Sequence, residues 1–250
     1  EAMKIYKDNT QLQPAGGGEY VEIIAGEAKY FTPILAKNDA EKAVSHLIYS
    51  SLVKIDENNQ PQPDLASSWE ISEDGLVYTF HLRTGVFFHK GQTFESDDVA
   101  ATIAAIKDDL NKSPLRETWA NIAVETPDSG TVIFRLPKRY GPFIYSCSIE
   151  IIDSGDAVAG SLSSSYNGTG PYSFVQASPD GMGNLIVSLK NNAAYYSVQP
   201  LINNLKFLIA KDAASAEKLY KEYGAGALAG RSLTPTGFSA EDQSFKTGRS

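Results

Sequence analysis

Residues 64–99, DLASSWEISEDGLVYTFHLRTGVFFHKGQTFESDDV, constrain the fold more than any other part of the chain. Leu76, Tyr78, Phe80 and Leu82 alternate with Val77, Thr79, His81 and Arg83, the period of two expected of a strand with one buried face. Glu73-Asp74-Gly75 supplies a turn, with glycine where a positive φ is needed, and Trp69-Glu70-Ile71 can pair back across it as a hairpin. Lys90-Gly91 offers a second turn. Ser96-Asp97-Asp98 then provides an N-cap hydroxyl and two first-turn carboxylates for a helix whose apolar face is Val99, Ile103, Ile106 and Leu110.

Outside this block the pattern alternates strands and helices. Residues 19–25 (EYVEIIA) read as a short buried strand, Pro33 breaks the chain, and Asn38 or Asp39 caps a helix that spaces Val44, Leu47 and Ile48 within residues 40–52. A second hairpin is expected over residues 120–136, turning at Pro127-Asp128-Ser129-Gly130. The alternations Leu185/Val187/Leu189 and Leu205/Phe207/Ile209 mark later strands, and residues 212–223 form a capped helix with Ala216, Leu219, Tyr220 and Tyr223 on one side. This ordering implies an α/β or α+β fold with a mixed sheet.

Several functions are disfavoured. The net charge of −8, with no clustered Lys or Arg, argues against a nucleic-acid partner. There is no GxSxG elbow, HExxH motif, P-loop or dinucleotide fingerprint, so no enzymatic activity and no cofactor are expected. Asp97 and Asp98 read as helix-capping carboxylates. His46, His81 and His89 lack metal-ligand spacing, so no metal is expected. The single cysteine, Cys147, reads as a small buried apolar residue, and Trp69 and Trp119 as core. Gly168, Gly170 and Pro171 serve backbone geometry. No segment reaches the roughly 20 apolar residues of a membrane span. Residues 1–18, ending Pro14-Ala15-Gly16-Gly17-Gly18, read as a linker, of the kind that tethers a surface protein to a removed N-terminal anchor.

The chain resembles the family 5 extracellular solute-binding proteins, which deliver peptides and related solutes to ABC importers. Besides residues 64–99 the resemblance is carried by IYSSLVKID (residues 48–56), GTGPYSF (168–174), LKNNAAYYS (189–197) and FLIAKDAASAEKLYKEYGAG (207–226). Two departures stand out: Gly224-Ala225-Gly226-Ala227-Leu228 occupies the usual GE-I-D segment, and Thr32 the position of an Asp before Pro33.

The resemblance implies one lobe of a type II periplasmic-binding-protein fold, an α/β lobe with a mixed sheet and an inserted α+β subdomain. Residues 19–51 and 166–232 would form the sheet domain and residues 52–165 the insert. Residues 233–250 would begin the crossover to a second lobe, making the whole protein about twice as long. Lobe-one ligand contacts are expected from Lys37-Asn38-Asp39, from Gly230-Arg231-Ser232, and from Leu115 of Ser113-Pro114-Leu115 in the insert. Lys37 and Asp39 read equally well as a solvated loop with a helix cap; Arg231 suits an anionic group. The implied partners are a peptide, nickel complex or other small solute and the subunits of an ABC permease, for a monomer anchored on the outer face of a bacterial membrane or in the periplasm. The alternative is a surface interaction or sensor module on the same scaffold without a transport role.

Overall fold

In the computed structural model, which describes residues 16–157, 162 and 165–223, the expected hairpin forms from β4 (Ala66–Ile71) and β5 (Val77–Leu82), with Trp69 opposite Phe80 and Ile71 opposite Tyr78. Gly75 sits at φ 69°, and the Asp74 carboxylate accepts from the Ser72 hydroxyl (2.6 Å) and the Leu76 N–H (3.0 Å), locking the turn. The second hairpin, β6 (Ala123–Asp128) and β7 (Thr131–Arg135), adds to it through β7, giving an antiparallel sheet of order β4-β5-β7-β6. The inward residues meet edge to face: Phe80 and Phe134 at 5.6 Å, Phe134 and Phe143 at 5.5 Å, Tyr78 and Phe143 at 4.9 Å. Trp119, 1% exposed, closes this cluster as core, whereas Trp69 is half-buried over Phe80.

The helix after the block, α2 (Ser96–Lys107 in the chain), buries Val99, Ile103 and Ile106 as its spacing predicts, but two details differ. Its N-cap is Glu95, not Ser96. The Ser96 hydroxyl is drawn to the Asp128 carbonyl (2.6 Å), and Asp98 reaches back to accept from the Glu95 N–H (2.8 Å) and, on its other oxygen, the Ser154 N–H (2.8 Å). Leu110 is 80% exposed because the helix stops at Lys107, where Asp108 turns the chain by accepting from the Leu110 N–H (2.9 Å).

A second, mixed sheet comprises β1 (Glu19–Ala25), β8 (Tyr172–Pro179), β9 (Leu185–Asn191) and β10 (Asn204–Ala210) in the order β1-β10-β9-β8, with β1 parallel to β10 and the other pairs antiparallel. One face sends Ile24, Val187, Leu189, Leu205, Phe207 and Ile209 into the main core, which runs continuously to the aromatic cluster of the first sheet. The other face presents Ile23, Leu208 and Ala210 to Ala216 and Leu219 of α5 (Ala213–Tyr223), capped at its start by Asp212 (Ser215 N–H, 2.7 Å). Tyr223 departs from expectation: 49% exposed, it borders a small cleft with Met182 and Ile186 instead of filling it. The remaining elements are short: β2 (Val53–Ile55) paired with β3 (Pro61–Pro63), and the one-turn helices α3 (Arg116–Trp119) and α4 (Phe143–Ser146).

The helix α1 (Asp39–Ile48) packs against β8 of the mixed sheet. This helix ends at Ile48, short of the expected residue 52, because Ser50 and Ser51 are claimed by extended pairing: the Ser50 carbonyl accepts from Ile151 N–H (2.8 Å) and that of Ser51 from Leu65 N–H (2.9 Å). The loop at residues 165–170 crosses the end of α1 so closely that a Cβ on Gly168 would lie 1.9 Å from the Ile48 carbonyl oxygen, and one on Gly170 2.5 Å from that of Leu47. The Gly170 N–H donates to the Ile48 carbonyl (2.8 Å). From the other side, the turn at Lys90-Gly91 (Gly91 φ 94°) fastens onto the loop. His89 N–H donates to the Gly168 carbonyl (2.8 Å), Lys90 N–H to Asn167 (2.9 Å), and the His89 ring lies between Gly168 N–H (Nδ1, 3.4 Å) and the Gly170 carbonyl (Nε2, 3.0 Å). Only a neutral ring with its proton on Nε2 satisfies both contacts. A second fastening joins Tyr196, whose hydroxyl donates to Asp64 (2.6 Å), with Arg83 stacked over the Tyr196 ring.

This seam yields two predictions. Gly168→Ala should cost about 3 kcal/mol or more by forcing backbone apart, whereas Gly130→Ala, whose Cβ meets nothing nearer than 3.5 Å, should stay within about 0.5 kcal/mol; denaturant midpoints decide, and equal losses would contradict the interlock. Burial holds the His89 pKa below its ordinary value, whereas the Glu150 carboxylate raises that of His46. The neutral His89 therefore contributes stability that is present above about pH 6.5 and lost as pH falls through its lowered pKa, while His46 acts in the opposite sense. In a His46→Gln background the melting temperature should fall between about pH 7 and pH 5, and less steeply once His89→Gln is added; parallel curves would contradict the neutral ring.

Candidate functional site

The connection from β1 to α1, residues 26–38, is built as a closed loop. Pro33 cannot continue a strand, and the Thr32 carbonyl accepts from Leu35 N–H (3.1 Å) and Ala36 N–H (3.0 Å), making a helical turn at its tip. Phe31, Thr32, Pro33 and Ile34 are buried. Phe31 packs against Tyr166 (5.7 Å) and Phe174 (6.4 Å), which also contact each other at 4.5 Å. The loop thereby rests on the same crossing segment that grips the end of α1.

Polar groups fix its two limbs. The side-chain oxygen of Asn38 accepts from Glu41 N–H (3.0 Å), capping α1, while its amide donates to the Glu27 carbonyl (2.7 Å). Of the two capping candidates, the helix uses Asn38. Glu41, in the first turn and 4% exposed, accepts from three backbone N–H groups, those of Lys29 (2.8 Å), Tyr30 (3.1 Å) and Lys37 (2.8 Å). The Ser113 hydroxyl donates to the Ile34 carbonyl (2.7 Å) and ties the loop tip to the segment ahead of α3.

Two of the three sequence-expected groups fall within the described residues, linked only through the Ser113 hydroxyl on the Ile34 carbonyl. Lys37, Asn38 and Asp39 crest the loop, all exposed, with the Asn38 amide already engaged at both ends. Leu115 follows Ser113, its N–H on the Ser113 hydroxyl (3.3 Å), half-buried against the main core. Gly230, Arg231 and Ser232 lie outside the described residues. The crest is of mixed charge: Glu27, Lys29, Lys37 and Asp39 are all exposed. Two acidic and two basic side chains balance along it, so the crest carries no excess of either sign. Sequence reasoning missed Glu41, and it named Ser113 only as a neighbour of Leu115, not as the tie to the loop tip. The spacing Asn38-x-x-Glu41 is a capping-box signature and could have revealed the first; the second depends on a contact across the fold and has no local signal.

The other reactive groups do not converge on this loop. The Cys147 thiol is fully buried, its pKa driven up by burial, beside the Phe143 carbonyl. Among the described residues no three His, Cys, Asp or Glu side chains are grouped to hold a metal ion, and no helix is long and apolar enough to cross a membrane.

Comparison with known proteins agrees with this architecture. The oligopeptide-binding protein AppA of Bacillus subtilis is 25% identical over 217 residues, covering 82% of this chain and 39% of AppA. The di/tripeptide-binding protein 4 of Pseudomonas aeruginosa is 34% identical over 179 residues, 60% of this chain and 33% of that protein. The solved structure of NikZ from Campylobacter jejuni in complex with Ni(L-His) superposes with a TM-score of 0.71 at 32% identity, over 81% of this chain and 42% of NikZ. The fold is thus that of a periplasmic-binding-protein type II lobe, and the chain spans between a third and two fifths of the length of these curated relatives. The pattern of the bacterial extracellular solute-binding proteins, family 5, matches residues 60–244, and the chain belongs to that family.

Proposed function

We propose that this chain supplies one lobe of a solute receptor that captures peptides or similar small solutes between two lobes and hands them to the permease of an ABC importer. The observation that carries this reading is the β1–α1 loop: clamped by Glu41, Asn38 and Ser113, it holds Lys37, Asn38 and Asp39 exposed at its end, while its tip is tied through Ser113 to the segment that carries Leu115. The peptide-binding relatives favour a peptide as the solute, and the nickel-histidine complex of the Campylobacter protein makes a metal chelate the first competitor.

In this reading residues 19–51 and 166–232 form the sheet domain of the lobe and residues 52–165 an insert, a division supported by β1-β10-β9-β8 and β4-β5-β7-β6 being different sheets. Residues 233–250 lead toward a second lobe whose closure completes the site, with Gly230, Arg231 and Ser232 on the crossover. Peptide backbone groups would pair with the loop and crossover backbone, leaving side chains weakly read; that gives breadth of substrate. The receptor would act as a monomer on the outer face of the membrane or in the periplasm, tethered through its N-terminal segment. It performs no catalysis.

Isothermal calorimetry and native mass spectrometry on the intact protein, with a pool of short peptides and with Ni(L-His), test the reading. A peptide should bind, and Lys37→Ala and Asp39→Ala should each weaken it by about 1 kcal/mol, roughly five-fold. Binding of the nickel complex alone would replace peptide by chelate, and binding of neither would refute the receptor role.

A further inference from the structure

A helix cap requires one or two backbone groups; Glu41 engages three, and they lie on opposite limbs of the β1–α1 loop. One carboxylate oxygen accepts from Lys29 and Tyr30, where the loop leaves β1, and the other from Lys37, where it enters α1. The segment between, residues 31–36, is pinched into a loop closed at its neck, the arrangement of an Ω-loop with a single side chain as clasp. The clasp is 4% exposed and sits in the first turn of α1, where the helix N-terminus favours negative charge.

Resting on the receptor reading above, we propose that Glu41 is the positioning residue of the ligand site: it makes no contact with solute, but its carboxylate sets the crest at Lys37 and Asp39 before solute arrives. Each contact of the neck is a partly buried hydrogen bond to the carboxylate, and each is to backbone, so the crest's main-chain geometry is what the clasp controls. The tip is held independently by Ser113 and by Phe31 on Tyr166 and Phe174, so losing the clasp frees the limbs without unfolding the loop. A site formed in advance spends less binding energy on ordering.

Glu41→Gln separates positioning from folding. Its carbonyl oxygen can still accept from Lys29 and Tyr30, whereas its amide group presents a donor to the Lys37 N–H, opening only the limb that bears the crest. In the intact protein, amide exchange at Lys37 should quicken at least about ten-fold while β9 and β10 amides, measured where the variant is fully folded, hold. Affinity for the tightest peptide of the pool should fall about ten-fold at a temperature where every variant is folded. Glu41→Ala should quicken exchange at Lys29 and Tyr30 as well. Unchanged exchange at Lys37, or quickened exchange with unchanged affinity, overturns the proposal. A wild-type protein that binds neither peptide nor chelate refutes the receptor reading instead, and exchange alone then decides whether Glu41 holds the loop.

Discussion

The close passage of residues 165–170 over the end of α1 is the contact on which the rest of the molecule depends. Backbone lies against backbone there, with the Ile48 carbonyl accepting from Gly170 N–H and no room for a side chain at Gly168. That passage returns the chain from the antiparallel sheet to the mixed one, and His89 and Asn167 stitch it to the turn beyond the first hairpin. Because the same segment carries Tyr166 and runs on to Phe174, it also seats Phe31 and so the β1–α1 loop. Scaffold and candidate site share one support.

Packing around this contact divides the labour. The aromatic cluster of Phe80, Trp119, Phe134 and Phe143 is deeply buried, and it continues without a break into the apolar face of the mixed sheet. Among the described residues, α5 covers the second face of that sheet. Polar groups at the junction are mostly paired, with burial raising the pKa of Asp64 while the Tyr196 hydroxyl donates to it.

Features set by local chemistry were legible in the sequence. Both hairpins follow from a period of two and turns at Gly75 and Gly130, and α1, α2 and α5 from apolar spacing with polar starts. Features set by partners far along the chain were not. Ser96 fails as a cap because a distant carbonyl, Asp128, takes its hydroxyl, and α1 stops early because Ser50 and Ser51 pair with residues near 151 and 65. The glycines of GTG were identified as backbone positions, but the end of α1 as the obstacle emerges only in three dimensions. Of the candidate site, Lys37, Asn38 and Asp39 come only from a family resemblance, whereas the Glu41 clasp beneath them has a local signature in Asn38-x-x-Glu41. Gly230, Arg231 and Ser232 lie outside the described residues.

The most direct test of the account is amide hydrogen exchange on the intact protein with and without a bound peptide. Protection should rise at Lys37, Asn38 and Asp39 and around Leu115, while the aromatic cluster and β9 remain as they were. Peptide binding that leaves those residues unchanged and protects a different surface would contradict the placement of the site on the β1–α1 loop.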